Sequence, residues 1–180
     1  WIGMALAIAA LIAPLLVGPH YNGIARWIAL GPFTLNTGFI ALPALAILAA
    51  RDPDNAPLAL LVALFVVSLQ PDGAAGFAIT FAAVGLYHVA RDWRMGLVCI
   101  VAFFAAIAMT LRGELPPQPF VERVLFDATA HSPFIAAGLI GALAACYLLI
   151  LYKAPLVRVE RFALAGTLFG FLAAALMSHY

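Results

Sequence analysis

Residues Pro133–Tyr152 read PFIAAGLIGALAACYLLILY, a run of twenty without one charged side chain. As an α-helix it would be about 30 Å long, the thickness of a bilayer's hydrocarbon core. A soluble helix of that length would show a polar face to water. This stretch has none, so lipid is its solvent. The rest of the chain follows the same rule. Of 180 residues, 66% are hydrophobic and only 9% are charged, with a mean hydropathy of +1.10. Soluble domains are nearer a quarter charged. Nine Lys and Arg stand against eight Asp and Glu. That balance argues against a nucleic-acid partner and against an acidic tail.

Polar punctuation divides the chain into seven apolar segments: Trp1–Val17, Phe33–Ala50, Ala56–Leu69, Gly73–Ala90, Met95–Leu111, Pro133–Tyr152 and Glu160–His179. The expected fold is an all-α, polytopic membrane protein forming a single transmembrane domain over 1–180. The third segment is short, and a tilt or a re-entrant turn at Gln70-Pro71-Asp72-Gly73 would accommodate it. The chain is already apolar at Trp1 and has no basic n-region. No signal peptide is expected, and the natural chain is expected to begin earlier. Cys99 and Cys146 lie in apolar runs and read as small buried hydrophobes rather than a disulfide.

Alternate connectors differ in charge. Arg51, Arg91, Arg94, Lys153, Arg158 and Arg161 fall on one side, and Arg26, Arg112 and Arg123 on the other. The positive-inside rule puts the richer side in the cytoplasm. Loops 18–32, 70–72 and 112–132 then face outward. Trp27, Tyr87, Trp93, Tyr147, Tyr152 and Tyr180 sit at segment ends, where aromatic rings favour the headgroup zone.

Several connectors carry motifs. The first outward loop reads Asn22-Gly23-Ile24-Ala25-Arg26-Trp27-Ile28-Ala29-Leu30-Gly31-Pro32-Phe33. Two segments later comes Leu69-Gln70-Pro71-Asp72-Gly73, and one helix after that Asp92-Trp93-Arg94. Leu115-Pro116, then His131-Ser132-Pro133-Phe134, then Gly138-Leu139-Ile140-Gly141-Ala142 complete the set. In this order they resemble the SEDS family (the FtsW, RodA and SpoVE proteins). Its corresponding motifs are N-G-A-x-R-W-[IL]-x-L-G, Q-P-D-x-G-T, S-W-R, L-P-E-x-H-T-D-F and E-L-G-x-x-G-A. The match covers most of the chain and is strongest from Asn22 to Arg94.

The resemblance implies a protein of the bacterial cytoplasmic (inner) membrane, with loops 18–32 and 112–132 in the periplasm. It implies peptidoglycan synthesis in cell division or cell shape, by glycosyl transfer on lipid II, beside a class B penicillin-binding protein. An outward carboxylate would serve as general base, and cations would hold the pyrophosphate of the undecaprenyl-linked donor. Arg26 and Trp27 are the candidate contacts to that pyrophosphate or to a lipid headgroup. Snorkelling of Arg26 to the interface accounts for it equally well.

Departures from the family fall on its chemical residues. The Asp of H-T-D-F, usually assigned to catalysis, is here Pro133, which cannot accept a proton. The family's Q-P-S-E and the Lys beyond it correspond to Asn36, Thr37, Gly38, Phe39 and Leu42. Losing both charges of a buried pair can be neutral, whereas losing one is costly. Joint loss therefore suits a chain whose packing is kept and whose chemistry is not. The long extracellular segment is shortened to Arg112–Ser132, and S-Y-G-G has no counterpart before Tyr180.

Two replacement sites are open. Asp127 and His131 would share a face of a short helix, Val124–His131, where a carboxylate orienting a His makes a workable base. Against this, Val121, Val124, Leu125 and Phe126 suit an interfacial helix. Asp72, in the family a structural and substrate-cavity residue, could be catalytic. Its place after Pro71 favours capping the helix that begins at Gly73.

No metal spacing is present and no cofactor is expected. His20, His88, His131 and His179 lack the matched depth that haem ligation between helices needs. A single pigment contact through His88 stays open. Small residues at Gly138–Ala142, Ala144 and Ala145, and the Gly166/Gly170 pair, suit close helix packing, inside the chain or with a partner. Three functions follow: a catalytically inactive SEDS-like scaffold, an active glycosyltransferase with a relocated carboxylate, or an accessory subunit of a respiratory or photosynthetic complex.

Overall fold

The computed structural model describes residues 1–19, 25–31, 33–112 and 124–177. Among these are eight helices and one hairpin: α1 (Ile2–Val17), β1 (Trp27–Leu30), β2 (Phe33–Asn36), α2 (Gly38–Arg51), α3 (Ala56–Leu69), α4 (Gly73–Ala90), α5 (Trp93–Arg112), α6 (Val124–His131), α7 (Pro133–Tyr152) and α8 (Arg158–Met177). Helices α4, α5, α7 and α8 are long and apolar enough to cross a membrane. The protein is a helical membrane protein. Helices α1, α2 and α3 have 16, 14 and 14 residues. They are therefore about 21–24 Å long, short of the ~30 Å core.

One expected helix begins later than its sequence suggested. Residues 33–37 do not open the second helix. Phe33–Asn36 pairs antiparallel with Trp27–Leu30, in the register Trp27↔Asn36 and Leu30↔Phe33. The local reason lies in Gly31-Pro32 between two short runs of β-branched, aromatic and aliphatic residues. Gly31 has φ 65°, which costs glycine nothing. Asn36 then ends the hairpin, its Oδ1 accepting the Gly38 N–H at 2.8 Å, and α2 starts. The other boundaries fall within two residues of expectation, and α6 spans Val124–His131 as anticipated. His20, Asn22, Gly23, Ile24, Leu115, Pro116, Val121, Arg123, His179 and Tyr180 lie outside the described residues.

Helix α4 is the central element, packed along α5 on one side and α8 on another. Its contact with α8 is backbone on backbone. A Cβ built on Gly166 would lie 2.1 Å from the Phe81 carbonyl oxygen, and one on Gly170 2.3 Å from that of Phe77. Gly85 of α4 meets the Phe162 carbonyl in the same way. Without a hydrophobic force between helices in lipid, such close approach is a main source of association. The Gly166/Gly170 pair is thus used inside the chain.

Helix α7 is the opposite case. Only Ala136 of it is buried, Phe134 is 88% exposed, and among the described residues nothing lies within 4 Å of a Cβ on Gly138 or Gly141. Cys146, expected to be buried, is exposed on this helix, and Cys99 is half-buried. Both run in apolar sequence, but lipid-facing and protein-facing positions of a membrane helix are equally apolar.

Charged residues gather where α2, α4 and α7 end and α3, α5 and α8 begin. Arg51 Nε donates to Glu160 Oε1 at 2.6 Å, while Glu160 Oε2 accepts the Val157 N–H at 3.1 Å. Glu160 is 5% exposed, and its two oxygens tie α2 to the first turn of α8. Asp92 opens α5 by accepting the Arg94 N–H at 2.9 Å. The Arg94 guanidinium bonded to it holds the Asp92 carboxyl below the ordinary carboxylate range, so Asp92 is ionised at neutral pH.

Candidate functional site

The motif residues of the opposite end meet around the turn between α3 and α4. Helix α3 stops at Gln70 because Pro71 and the non-helical Asp72 cannot continue it. A helix ending this way leaves its last carbonyls without donors. Here the hairpin supplies one. Arg26, just before β1, donates Nε to the Gln70 carbonyl at 3.3 Å and Nη2 to the Pro71 carbonyl. A guanidinium at a helix C-terminus also meets the negative end of the helix dipole.

Gln70 itself is 4% exposed, and its Nε2 donates to the Leu11 carbonyl of α1 at 2.6 Å. Arg26 and Gln70 together lock α1, the hairpin and α3 into one corner. Asp72 is equally buried, at 4% exposed. Its Oδ1 accepts the Ala75 N–H at 3.1 Å, capping α4 as its position after Pro71 suggested. Asp72→Ala is expected to lower stability by about 1 kcal/mol while Asp72→Asn stays near wild type, as read from thermal melts in detergent.

The second candidate pair lies elsewhere. Asp127 and His131 are on α6, both exposed. Helix α6 packs on α7, and α7 on α8, whereas the Gln70–Asp72 turn belongs to the α3–α4 side of the bundle. The fold does not gather Asp127 and His131 with Arg26 and Asp72. Pro133 is the first residue of α7, and Ser132 Oγ caps that helix by accepting the Phe134 N–H at 3.3 Å. This pairing of a capping Ser with Pro at the first helical position is a common helix start.

Phe39 and Leu42, at the positions corresponding to the family's Glu and Lys, open the same helix but differ in burial, Phe39 being 42% exposed. The Phe39 ring meets Phe171 of α8 edge to face, centroids 4.7 Å apart, and Leu42 is 2% exposed. Trp27 is half-buried in the hairpin. His88 stacks on Phe162 at 5.2 Å between centroids, with the Arg158 guanidinium 5.7 Å from the same ring. Among the described residues no three His, Cys, Asp or Glu are grouped to hold a metal.

Sequence reasoning passed over Gln70 as part of a motif. The available signal was a lone polar residue closing an apolar run, which must find a partner when buried. The Arg51–Glu160 pair was also missed, although opposite charges on connectors of one membrane side pointed to it. Comparison of the chain with protein-family models, curated proteins and solved structures finds no match.

Proposed function

We propose that this chain is a SEDS-like protein of the bacterial inner membrane that has lost glycosyltransferase chemistry and serves as a membrane scaffold. In this reading it crosses the bilayer seven times, the bilayer thinning around the short α1, α2 and α3, with the hairpin and the 112–132 segment on the periplasmic side. It holds a class B penicillin-binding protein or an undecaprenyl-linked lipid rather than polymerising one. The observation that carries the reading is the engagement of the motif residues. Arg26 closes the C-terminus of α3, Asp72 caps α4, and Phe39, Leu42 and Pro133 serve packing or helix starts. A general base must reach a substrate hydroxyl and a cation its pyrophosphate. The carboxylate and cation of this corner face backbone instead.

A polymerisation assay tests this. Purified protein incubated with lipid II and a cognate penicillin-binding protein is expected to yield no glycan beyond the partner alone. Glycan strands that disappear with Asp127→Ala would overturn the reading in favour of an active enzyme. The accessory-subunit alternative has one observation in its favour, the nearly uncovered α7. Co-purification in mild detergent with redox or pigment proteins, rather than cell-wall proteins, would mark it.

A further inference from the structure

The charged end of the bundle, opposite the hairpin, holds an apolar cavity of about 220 Å³. It opens between the Arg51–Asn55 turn, the last turn of α4 and the first turn of α8. Ala50, Pro53, Leu86, Ala90, Met95 and Val159 line it, and Asp92 is the one charged lining residue. Sites for drug-sized molecules usually measure about 300–1,000 Å³. A smaller apolar cavity of this kind suits part of a single hydrocarbon chain.

The charges at its rim are unevenly matched. Glu160 faces Arg51, Asp54 and Asp92 face Arg94, and Asp52 is turned onto the Asn55 amide. Arg91 is the sequence neighbour of two lining residues, Ala90 and Asp92, and is not itself part of the wall. It is exposed, and no acidic side chain pairs with it among the described residues. It ends α4 with φ 57° and ψ 24°, its N–H bonded to the Tyr87 carbonyl at 2.9 Å. That left-handed position ordinarily belongs to Gly or Asn, because a Cβ is strained there. Strain at a non-glycine residue points toward a functional use of its side chain.

We propose that this cavity takes part of one acyl chain of an anionic phospholipid whose phosphate is held by Arg91. The cavity supplies the dry wall, the helix ends place its mouth at headgroup depth, and a guanidinium matches phosphate in charge and geometry. The site is separate from the hairpin corner and does not depend on the reading given above.

Two variants separate head from tail. Arg91→Gly removes the cation and relieves the left-handed backbone, so the fold survives. Ala90→Leu fills the mouth and leaves the charge. Protein in mild detergent is incubated with equal phosphatidylglycerol and phosphatidylcholine and read by native mass spectrometry. Wild type is expected to retain one phosphatidylglycerol in preference to phosphatidylcholine. Each variant is expected to lose about tenfold in that retention, the equivalent of a 1.4 kcal/mol weaker contact. Equal retention of the two lipids by wild type would overturn the proposal, as would unchanged retention by Arg91→Gly. Loss in Arg91→Gly with none in Ala90→Leu would place the headgroup without the chain, and that too overturns it.

Discussion

Gly166→Val is expected to separate α4 from α8 and to leave little folded, monodisperse protein in detergent. The neighbour of the added Cβ is the Phe81 carbonyl, 2.1 Å away, and Ala82 N lies at 3.3 Å. A flexible side chain could turn aside, but backbone of a central helix cannot. Overpacked cores lose about 1–3 kcal/mol, and a clash with main chain lies at or above the top of that range. Gly166→Ala carries the same clashing Cβ, so it should already lose an amount near the top of that range. Gly170→Ala should behave alike, since Phe77 O and Ala78 Cα crowd its Cβ at 2.3 and 2.5 Å. Gly138→Ala and Gly141→Ala on α7 are the controls. Their Cβ positions are open, so the better helix propensity of Ala should leave stability unchanged or raise it by about 0.5–1 kcal/mol. Thermal melts of the four variants in one detergent check the contrast. Equal losses at both glycine pairs would show that the α4–α8 contact is not the close one.

Arg26→Ala should produce the second large effect, because two carbonyls lose a charged donor at once. Hydrogen bonds to charged groups contribute about 1.5–3 kcal/mol, and a loss of about 2–3 kcal/mol is expected here. The hairpin should loosen first. Its tie to the bundle runs through contacts 44 and 45 residues away in sequence. Amide exchange at Trp27–Leu30 and Phe33–Asn36 should therefore quicken more than exchange in α4. Arg26→Lys should recover only part of the loss, since an ammonium lacks the planar fork that reaches both carbonyls. These readouts distinguish positioning from pyrophosphate binding. If Arg26 served only a ligand, Arg26→Ala would melt like wild type and lose lipid binding alone.

Local features were legible from sequence. Charge-free runs marked the long helices, because length and apolarity are properties of the segment itself. Pro and its neighbours marked where helices start and stop. The Asp72 cap, the Ser132-Pro133 start of α7 and the extent of α6 all follow from a few adjacent residues. The hairpin was missed for a local reason as well. Phe33-Thr34-Leu35-Asn36 is as apolar as the helix it precedes, and Gly31-Pro32 was read only as the helix entrance.

Nonlocal features depended on the fold. Gln70 meets Leu11 across 59 residues and Arg51 meets Glu160 across 109, so neither partner is implied by spacing. The two small-residue faces show the same limit. Gly166/Gly170 and Gly138/Gly141 look alike in sequence, yet one touches backbone and the other stands open. Membrane interiors and lipid are equally apolar, so composition cannot say which face turns inward.

The uncharged run Pro133–Tyr152 thus determined by itself that this chain belongs in a bilayer. Only tertiary structure decided that the helix it forms lies at the edge of the bundle. Transfer into lipid depends on the segment's own surface, whereas packing depends on which backbones can approach, and that is settled between helices.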